Sequence, residues 1–405
     1  MDGTFGFHLP TRVEVGNGRL GETGKLAVAL VGSTTSGGRR TSPAAGGSSP
    51  RALVVTDAGL IRAGIAPAVE DSLRQAGFVC ERFDQVQPNP KDVDCNAGGE
   101  IARHFGADLI VAVGGGSVID EAKAIAVLTT HPGRIGDYEG RGRVPGEVPP
   151  IVAVPTTAGT GSEVTRSAVI TDTGRRFKMT VKDIKLAPKL AVVDPETTYA
   201  LPVGLTASTG MDALVHAVEA YTCRAANPVS DAMALAAIAR IYPALRRVVR
   251  DGHDKEARYD MMVGSLMAGI AFSHSDVGAV HCLAEALGGL YDVPHGVANS
   301  MFFPAVTAFN APAAPERHAR VAATCRLPLG GLTPSEAAGL LVEELARLAT
   351  DIGIPKFGSL PQVRPEDFPF LAESSFRNGS TPDNCRDIAV SDYLRLLKES
   401  YQDSR

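Results

Sequence analysis

The pattern of hydrophobic and polar residues divides the chain into two parts. Before about residue 200, short apolar runs alternate with stretches of helical periodicity. The runs are ALVVTD (52–57), DLIVAVGGG (108–116), PIVAVPTT (150–157) and LAVVD (190–194). Nearly continuous apolar strands separated by helices are typical of a parallel sheet that is covered on both faces. We therefore predict a doubly wound, Rossmann-like α/β domain over residues 1–204.

From about residue 205 onward, apolar residues recur every three or four positions instead. The clearest examples are DALVHAVEAYT (212–222), DAMALAAIARIYPALRRVV (231–249) and SEAAGLLVEELARLATDIG (335–353). This spacing is typical of helices that bury one face. The second domain, residues 205–405, is predicted to be entirely helical.

One segment fits neither domain. STTSGGRRTSPAAGGSSP (33–50) is rich in Gly, Ser, Thr and Pro and nearly devoid of large apolar side chains. Such a composition buries too little surface to offset its ordering entropy. We expect a flexible insertion within the first domain.

Composition and charge narrow the kinds of partner. The 405 residues are 44% hydrophobic and 21% charged, with a formal charge of −5 and a pI near 6.0. The chain has no basic stripe for nucleic acid and no apolar run long enough for a membrane span, so small soluble substrates are favoured. The N-terminus does not resemble a secretory leader, which predicts a cytoplasmic protein. The six cysteines form no C-x-x-C pair and are expected to be free thiols.

A glycine-rich turn follows the second apolar run. In AVGGGSVID, glycines allow close approach of a phosphate, and the helix that follows presents unpaired N–H groups. The alternative is a tight strand-to-helix turn in which Asp120 is a first-turn acid. The candidate cofactor residues are Gly114, Gly115, Gly116, Ser117 and Asp120.

A second polar loop, VPTTAGTGSEVT (154–165), follows the third apolar run. Thr156, Thr157 and Thr160 are candidates to bind a cofactor at the carboxyl edge of the sheet, where open α/β folds bind ligands. Alternatively, the loop only caps the next element. Two such loops after two different strands favour the cofactor interpretation.

Asp57 ends the first apolar run. An acid at this place accepts hydrogen bonds from a ribose and repels a 2′-phosphate, which favours NAD over NADP. The alternative role, an N-cap for the following helix, is compatible with the first.

Four residues form a candidate metal set. Asp212 and His216 lie four positions apart on one helix face. That pair alone is more often a hydrogen bond than a metal site. His281, in another helical run, and His295, after a Pro-containing turn, complete three nitrogen ligands and one oxygen ligand for a divalent cation. An open coordination position would make the ion a Lewis acid for an alcohol or aldehyde oxygen.

These motifs together resemble one family. GGGSVIDEAKA, PTTAGTGSEVT, GMDALVHAVEAY and GAVHCLAEALGGLYDVPHGVANS have the order and spacing found in the iron-containing (group III) alcohol dehydrogenases. The resemblance implies a dehydroquinate synthase-like architecture and an NAD(P)-linked alcohol dehydrogenase or aldehyde reductase. It also implies Fe(II), with Zn(II) as the alternative, at Asp212, His216, His281 and His295. Lys178 resembles a family lysine that reaches the cofactor, and relatives assemble as homodimers or larger assemblies of dimers.

Two positions depart from the family pattern. Glu285 stands where many members carry a second histidine, and we expect it to face the cleft; the alternative is a solvated helix acid. If it faces the cleft, the proton of the alcohol would leave through Glu285, water or the cofactor ribose. His274 stands where members usually have Asn. It either lines the substrate pocket or is a core or rim histidine.

The resulting hypothesis is hydride transfer between a small alcohol and nicotinamide, with His281, Glu285 and His274 as candidate catalytic residues. One alternative is a dehydroquinate-synthase-like NAD-dependent lyase. Such an enzyme acts on a phosphorylated substrate and needs several Lys or Arg residues near the metal to bind the phosphate. The motifs around Asp212 and His281 contain none. The other alternative is a metal- or nucleotide-binding protein without catalysis.

Overall fold

The computed structural model describes residues 4–32 and 49–402. Apart from its last two residues, the predicted insertion at 33–50 lies outside the described residues. The described chain contains nine strands: β1 Arg12–Val15, β2 Arg51–Val55, β3 Val79–Phe83, β4 Leu109–Gly114, β5 Gly140–Arg141, β6 Ile151–Pro155, β7 Ser167–Asp172, β8 Phe177–Lys182 and β9 Leu190–Val193.

Six of these strands form a parallel sheet in the order β1-β9-β6-β4-β2-β3. Five helices accompany it: α1 Thr23–Gly32, α2 Ala58–Arg62, α3 Ile65–Gln75, α4 Asp92–Phe105 and α5 Gly116–Thr130. Alternate strand residues enter two separate cores. Leu53 and Val55 belong to one, and Ala52 and Val54 belong to the other. Apolar residues on both faces therefore explain the continuous apolar runs, as predicted.

A second, three-stranded sheet in the order β5-β8-β7 packs against helices α4 and α5. Its strands β7 and β8 are antiparallel and pair from Ser167 with Lys182 to Asp172 with Phe177. The sequence analysis did not predict this sheet. It matters for function because β8 carries Lys178.

The remainder of the described chain is helical, as predicted. Its helices are α6 Val203–Thr222, α7 Pro228–Arg250, α8 Lys255–His274, α9 Ala279–Tyr291, α10 His295–Asn310, α11 Pro315–Thr324, α12 Pro334–Asp351, α13 Phe368–Phe376 and α14 Val390–Gln402. None of the helices in the described ranges is long and apolar enough to cross a membrane.

Helix α6 lies at the centre of the helical region. Every residue from Met211 to Thr222 is buried, in contact with α7, α8 and α10. A helix that is buried all round needs small, strongly helix-forming residues, and Ala213, Ala217 and Ala220 supply them. Polar side chains on such a helix lie inside the protein, so they need partners there.

Candidate metal and cofactor site

Asp212 and His216 project from the buried helix α6. They are 1% and 4% exposed, and Asp212 Oδ2 lies 3.8 Å from His216 Nδ1. Their separation of one helical turn brings both side chains to the same face. Phe272 of α8 stacks on the His216 ring at a centroid distance of 4.4 Å, which fixes the ring from the other side.

His281 and His295 reach this face from two further helices. His281 lies in α9, and its Nε2 is 2.9 Å from His216 Nε2. Helix α9 ends at Tyr291, Asp292 adopts a left-handed conformation, and α10 then begins at His295. The turn brings the His295 ring to 5.3 Å from that of His281. The four predicted ligand residues thus converge, with one ligand atom from each lying within 4.8 Å of the others.

Two residues that the sequence analysis missed hold these ligands in place. Glu219, also in α6, accepts a hydrogen bond from His281 Nδ1 at 2.5 Å and from the Val280 amide at 2.9 Å. Asn299 donates from Nδ2 to Asp212 Oδ1 at 2.6 Å and lies 3.0 Å from His295 Nε2. Outer partners of this kind set the tautomer and orientation of a ligand.

The electrostatics of Asp212, His216 and His295 favour the protonation states that a cation requires. At His281, burial acts to lower the pKa, but the hydrogen bond with Glu219 raises it overall. Burial lowers the pKa of His216 to about 4 and holds the pKa of His295 well below its usual range. Burial acts to raise the pKa of Asp212, but attraction by the imidazoles, His216 foremost, lowers it overall. Neutral imidazoles beside an ionised carboxylate are the forms that coordinate a metal ion.

The donor set fits a divalent first-row cation. His216 Nδ1, His295 Nδ1 and Asn299 Oδ1 are buried and have no hydrogen-bond partner among residues 4–32 and 49–402. His281 Nδ1 donates to Glu219, which leaves His281 Nε2 as the nitrogen that faces Nε2 of His216. Three imidazoles and one carboxylate are ligands that suit Fe(II) or Zn(II).

The predicted glycine turn lies between β4 and α5. Gly115 is the N-cap of α5, and within the described residues this helix end has no side-chain cap. A Cβ atom on Gly114 would lie 2.4 Å from Cγ2 of Val118, so a side chain has no room there. Together these features form an open, anion-attracting helix N-terminus. Ser117 lies in its first turn.

The hydroxyl loop after β6 packs directly against this turn. A Cβ on Gly115 would lie 3.1 Å from Cγ2 of Thr157, and one on Gly116 would lie 2.5 Å from Cγ2 of Thr160. Thr156 is buried at the end of β6. Because β4 and β6 are adjacent and parallel, their two loops share one edge of the sheet, as the cofactor interpretation requires.

Asp120 requires a correction. It lies in the second turn of α5, not the first, and that helix has no acid in its first turn. Its Oδ2 accepts from the Val169 amide at 2.9 Å, and its Oδ1 accepts from the Ser162 hydroxyl. The carboxylate is therefore bonded to the adjoining protein segments and not presented at the open helix end.

Asp57 is the N-cap of helix α2, the alternative role expected from the sequence. Its Oδ1 accepts from the amides of Gly59 and Leu60 at 2.7 and 3.1 Å. Strand β2, which precedes it, is the neighbour of β4. The side chain therefore lies at the same edge of the sheet as the glycine turn.

Comparison with known proteins agrees with this geometry. The model of the family described as iron-containing alcohol dehydrogenase matches residues 10–195, and the model of the Fe-containing alcohol dehydrogenase family, C-terminal, matches residues 206–401. The chain belongs to the iron-containing alcohol dehydrogenase family.

Individual relatives extend over nearly the whole chain. NAD-dependent methanol dehydrogenase of Bacillus methanolicus is 41% identical over 86% of this chain and 92% of its own length. 1,3-Propanediol dehydrogenase of Citrobacter freundii is 42% identical over 87% and 91%. A crystal structure of 1,3-propanediol oxidoreductase superposes with a TM-score of 0.90 at 38% identity, covering 98% of this chain and all of that one.

Family membership makes the protein a metal-dependent alcohol dehydrogenase or aldehyde reductase. It also decides between the functions weighed from the sequence. The lyase and the non-catalytic binding protein are set aside, because both halves of the chain match the dehydrogenase family.

In this iron-containing alcohol dehydrogenase, Lys178 connects the two parts of the fold. It is 7% exposed on β8, and its Nζ donates to Asn89 Oδ1 at 2.7 Å. Asn89 in turn donates to Asp292 Oδ1 at 2.9 Å, in the turn that leads to His295. Burial lowers the pKa of Lys178.

Glu285 lies one turn after His281 in α9. Its Oε2 accepts from Asn378 Nδ2 at 2.6 Å, and Lys178 and His281 are the charged groups that act most strongly on its pKa. Burial raises the pKa of this carboxyl group, although those neighbours act in the opposite direction. The side chain is partly exposed, so it lies at the edge of the site, on the side of His281 and Lys178.

His274 does not join this group. It ends α8, where its Nδ1 is 2.7 Å from the carbonyl oxygen of Ile270 and its Nε2 is 3.0 Å from that of His8. Phe7 packs on its ring at 4.2 Å. This geometry favours the rim interpretation, in which the histidine fastens the N-terminal segment to α8.

Proposed function

We propose that the enzyme transfers a hydride between a small alcohol and NAD, using one divalent ion, Fe(II) in preference to Zn(II), held by Asp212, His216, His281 and His295. The convergence of these four side chains within 4.8 Å carries the proposal. Relatives named for methanol and 1,3-propanediol support small, unbranched alcohols as substrates.

We assign the cofactor to the shared edge of the sheet. The helix N-terminus at Gly114–Ser117 would hold the pyrophosphate, and Thr156, Thr157 and Thr160 would bind along the next loop. Lys178 would reach the ribose or nicotinamide end from β8. Asp57 would accept from the adenosine ribose and disfavour the 2′-phosphate of NADP. Asp120 is not assigned a direct contact with the cofactor.

When bound, the ion supplies Lewis acidity to the substrate oxygen and NAD accepts the hydride. The protein orients the proposed ligands and places the group that accepts the proton. Glu219 holds the Nδ1 proton of His281, so that its Nε2 presents a lone pair to the ion. Asn299 orients Asp212 and His295. The Glu285 carboxylate is placed to accept the hydroxyl proton of the alcohol, directly or through water, and His274 is assigned no step.

The proposal extends to organisation and location. We propose that residues 1–204 and 205–405 act as cofactor-binding and metal-binding domains that meet at the Lys178–Asn89–Asp292 contacts. We also propose a cytoplasmic homodimer. A light-scattering mass that stays at one chain across protein concentrations would contradict the dimer.

Anaerobically purified protein should be mixed with NAD and a panel of primary alcohols and diols. The absorbance of reduced nicotinamide should increase with Fe(II) restored and should not increase after chelation. No reduction of NAD by any alcohol and no oxidation of NADH by any aldehyde, under either Fe(II) or Zn(II), would overturn the proposal. Faster turnover with NADP than with NAD would overturn only the coenzyme assignment.

A further inference from the structure

Lys123 is a buried cation that the reaction described above does not use. It lies about two turns after the glycine-rich N-terminus of α5 and is 0% exposed. Its Nζ donates to Ser162 Oγ at 2.8 Å, Thr165 Oγ1 at 3.0 Å and the Ser167 carbonyl at 2.8 Å. An ammonium group has three N–H donors, and here each one has an acceptor.

Two of these acceptors, Ser162 and Thr165, lie at the end of the hydroxyl loop, and the third, Ser167, begins β7. Asp120, one turn earlier on α5, adds a second connection to the same segment through Ser162 Oγ and the Val169 amide. Asp120 Oδ1 also lies 3.4 Å from Lys123 Nζ. Two adjacent turns of α5 are therefore bonded to the chain between Ser162 and Val169.

Burying a charged group at this position carries a large desolvation free energy. Desolvating one ion costs several kcal/mol, on the order of what a good buried pair recovers, and an apolar side chain of similar volume is often as stable. Burial lowers the pKa of Lys123, and the nearby Asp120 and Glu163 oppose that shift. An apolar side chain would fill the space but would form no directional hydrogen bonds. Three hydrogen bonds fix where the segment lies along and around α5.

The segment that is fixed in this way forms part of the cofactor site. Thr157 and Thr160 touch the glycine turn of α5, as described above. On its other side, a Cβ on Gly159 would lie 2.8 Å from Thr209 Cβ in α6, and one on Gly161 would lie 2.5 Å from the Cα of Gly269 in α8. The loop is thus enclosed by three helices, and small shifts relative to α5 would change the spacing of the two cofactor loops.

We propose that Lys123, with Asp120 and Ser162, is a positioning device for NAD: it holds the hydroxyl loop at a fixed distance from the N-terminus of α5. This rests on the proposed assignment of NAD to these two loops. Lys123 does not touch the cofactor itself, since it is completely buried behind the turn. Its effect passes through Ser162 and Thr165 to the loop that bears Thr157 and Thr160.

Three small changes test the proposal without removing the lysine. Ser162→Ala deletes the hydroxyl that joins Asp120 to Lys123. Thr165→Val deletes another acceptor, and Thr165→Ser keeps it. Ser265→Ala is the matched control, because this serine is equally buried, lies beside Gly161, and its Oγ has no partner within the described part of the chain.

The measurement is the Kd of NADH by nicotinamide fluorescence on the metal-loaded enzyme, together with KM for NAD, kcat at saturating NAD, and Tm. We expect Ser162→Ala and Thr165→Val each to raise Kd and KM by about 3- to 10-fold, the equivalent of one hydrogen bond. The effect on kcat should be smaller than the effect on KM. Thr165→Ser and Ser265→Ala should bind NADH as the wild type does.

A lowered Tm with unchanged Kd in Ser162→Ala and Thr165→Val would overturn the proposal, because the network would then serve stability alone. Equal loss of binding in Ser265→Ala would overturn it as well, since the loop would be sensitive to any change. A wild-type protein that binds no NADH would overturn the proposed cofactor itself, a result separate from either of these.

Discussion

Glu219 Oε2 lies 2.5 Å from Nδ1 of His281, although the two residues are on different helices and 62 positions apart. A carboxylate only accepts hydrogen bonds, so the imidazole must donate from Nδ1. In its neutral form the ring then carries its lone pair on Nε2, the atom that faces His216. This contact sets the tautomer of one proposed metal ligand.

Glu219→Gln should weaken metal binding, because the amide is uncharged and its NH₂ end can face His281. We expect the Kd for Fe(II) or Zn(II), measured by competition with a chelator, to increase by about 10- to 100-fold. The control is Glu70→Gln, a carboxyl group that is 2% exposed and pairs with Arg74 and Arg82 away from the metal. That variant should lose stability but keep its metal affinity. Unchanged metal affinity in Glu219→Gln would show that Glu219 does not orient the ligand.

The two layers of the metal site were not equally predictable from sequence. Asp212 and His216 share a helix face by spacing alone, His281 and His295 complete the set by their residue type, and the family resemblance implies the same four residues. Glu219 lies three residues after His216, a spacing that would have placed it near the same face, but surface helices often carry such an acid. Its partner comes from another helix. Tertiary packing therefore decides its role.

Asp57→Asn separates the two roles of that residue. The amide oxygen can still accept from Gly59 and Leu60, where Asp57 now does, but the charge that disfavours a 2′-phosphate is gone. We expect the ratio of kcat/KM with NADP to that with NAD to increase by about tenfold, or about 1.4 kcal/mol, with Tm little changed.

Asp57→Ala should shift the coenzyme ratio in the same direction and also destabilise the protein by about 1 kcal/mol through loss of the cap. A ratio that stays at the wild-type value in both variants would mean that Asp57 is only a cap.

Glu121 should make stability depend on pH. It is 0% exposed, and neither carboxyl oxygen has a partner in the described ranges. Burial, and then repulsion from Asp94, raise its pKa to about 8 from an ordinary value of 4.5. The folded state thus holds this proton more tightly than the unfolded state. Its contribution to the free energy of unfolding falls as pH rises from about 4.5 to about 8, by about 1.4 kcal/mol per unit of pKa difference.

Glu121→Gln cannot titrate, so its stability should fall less than that of the wild type between pH 5 and pH 9, read as urea midpoints at constant salt. Glu100→Gln, on the exposed face of α4, should keep the wild-type dependence. Parallel curves for wild type and Glu121→Gln would refute the prediction.

Glu285→Gln tests the proposed proton acceptor. The amide preserves the shape of the side chain but accepts no proton, so kcat for alcohol oxidation should fall by about 100-fold or more. The Kd for NADH should change little. Glu285→His, which restores a basic group, should retain more activity than the glutamine variant. A glutamine variant with wild-type kcat would exclude Glu285 and leave water or the cofactor ribose as the route for the proton.

The fold could be predicted where burial leaves a simple pattern. Strands β2, β4, β6 and β9 are buried on both faces and appear as apolar runs, and the long helices show regular spacing. Strand β3 alternates exposed and partly buried residues, as in VCERF, and lies at the sheet edge. In the β7–β8 pair, buried residues such as Ala168, Ile170, Met179 and Val181 alternate with partly exposed, mostly polar residues and belong to a separate core. Neither has the composition of a core strand, because one side of each is not in the main core.

The family resemblance also could not settle how particular side chains are used. Asp120 belongs to a motif associated with phosphate binding, yet its carboxylate turns to Ser162 and Val169. His274 lies seven residues before a metal ligand, yet α8 ends there and α9 starts anew. A break between helices removes the common face that spacing alone would suggest.

The most direct test of the metal-dependent mechanism is the metal content and turnover of anaerobically purified wild type beside His281→Ala. Elemental analysis should find about one divalent ion per chain in the wild type and little in the variant, in line with a four-ligand site that has lost one ligand. NAD reduction by alcohols should fall in the same proportion. Full activity in His281→Ala without bound metal would contradict the account.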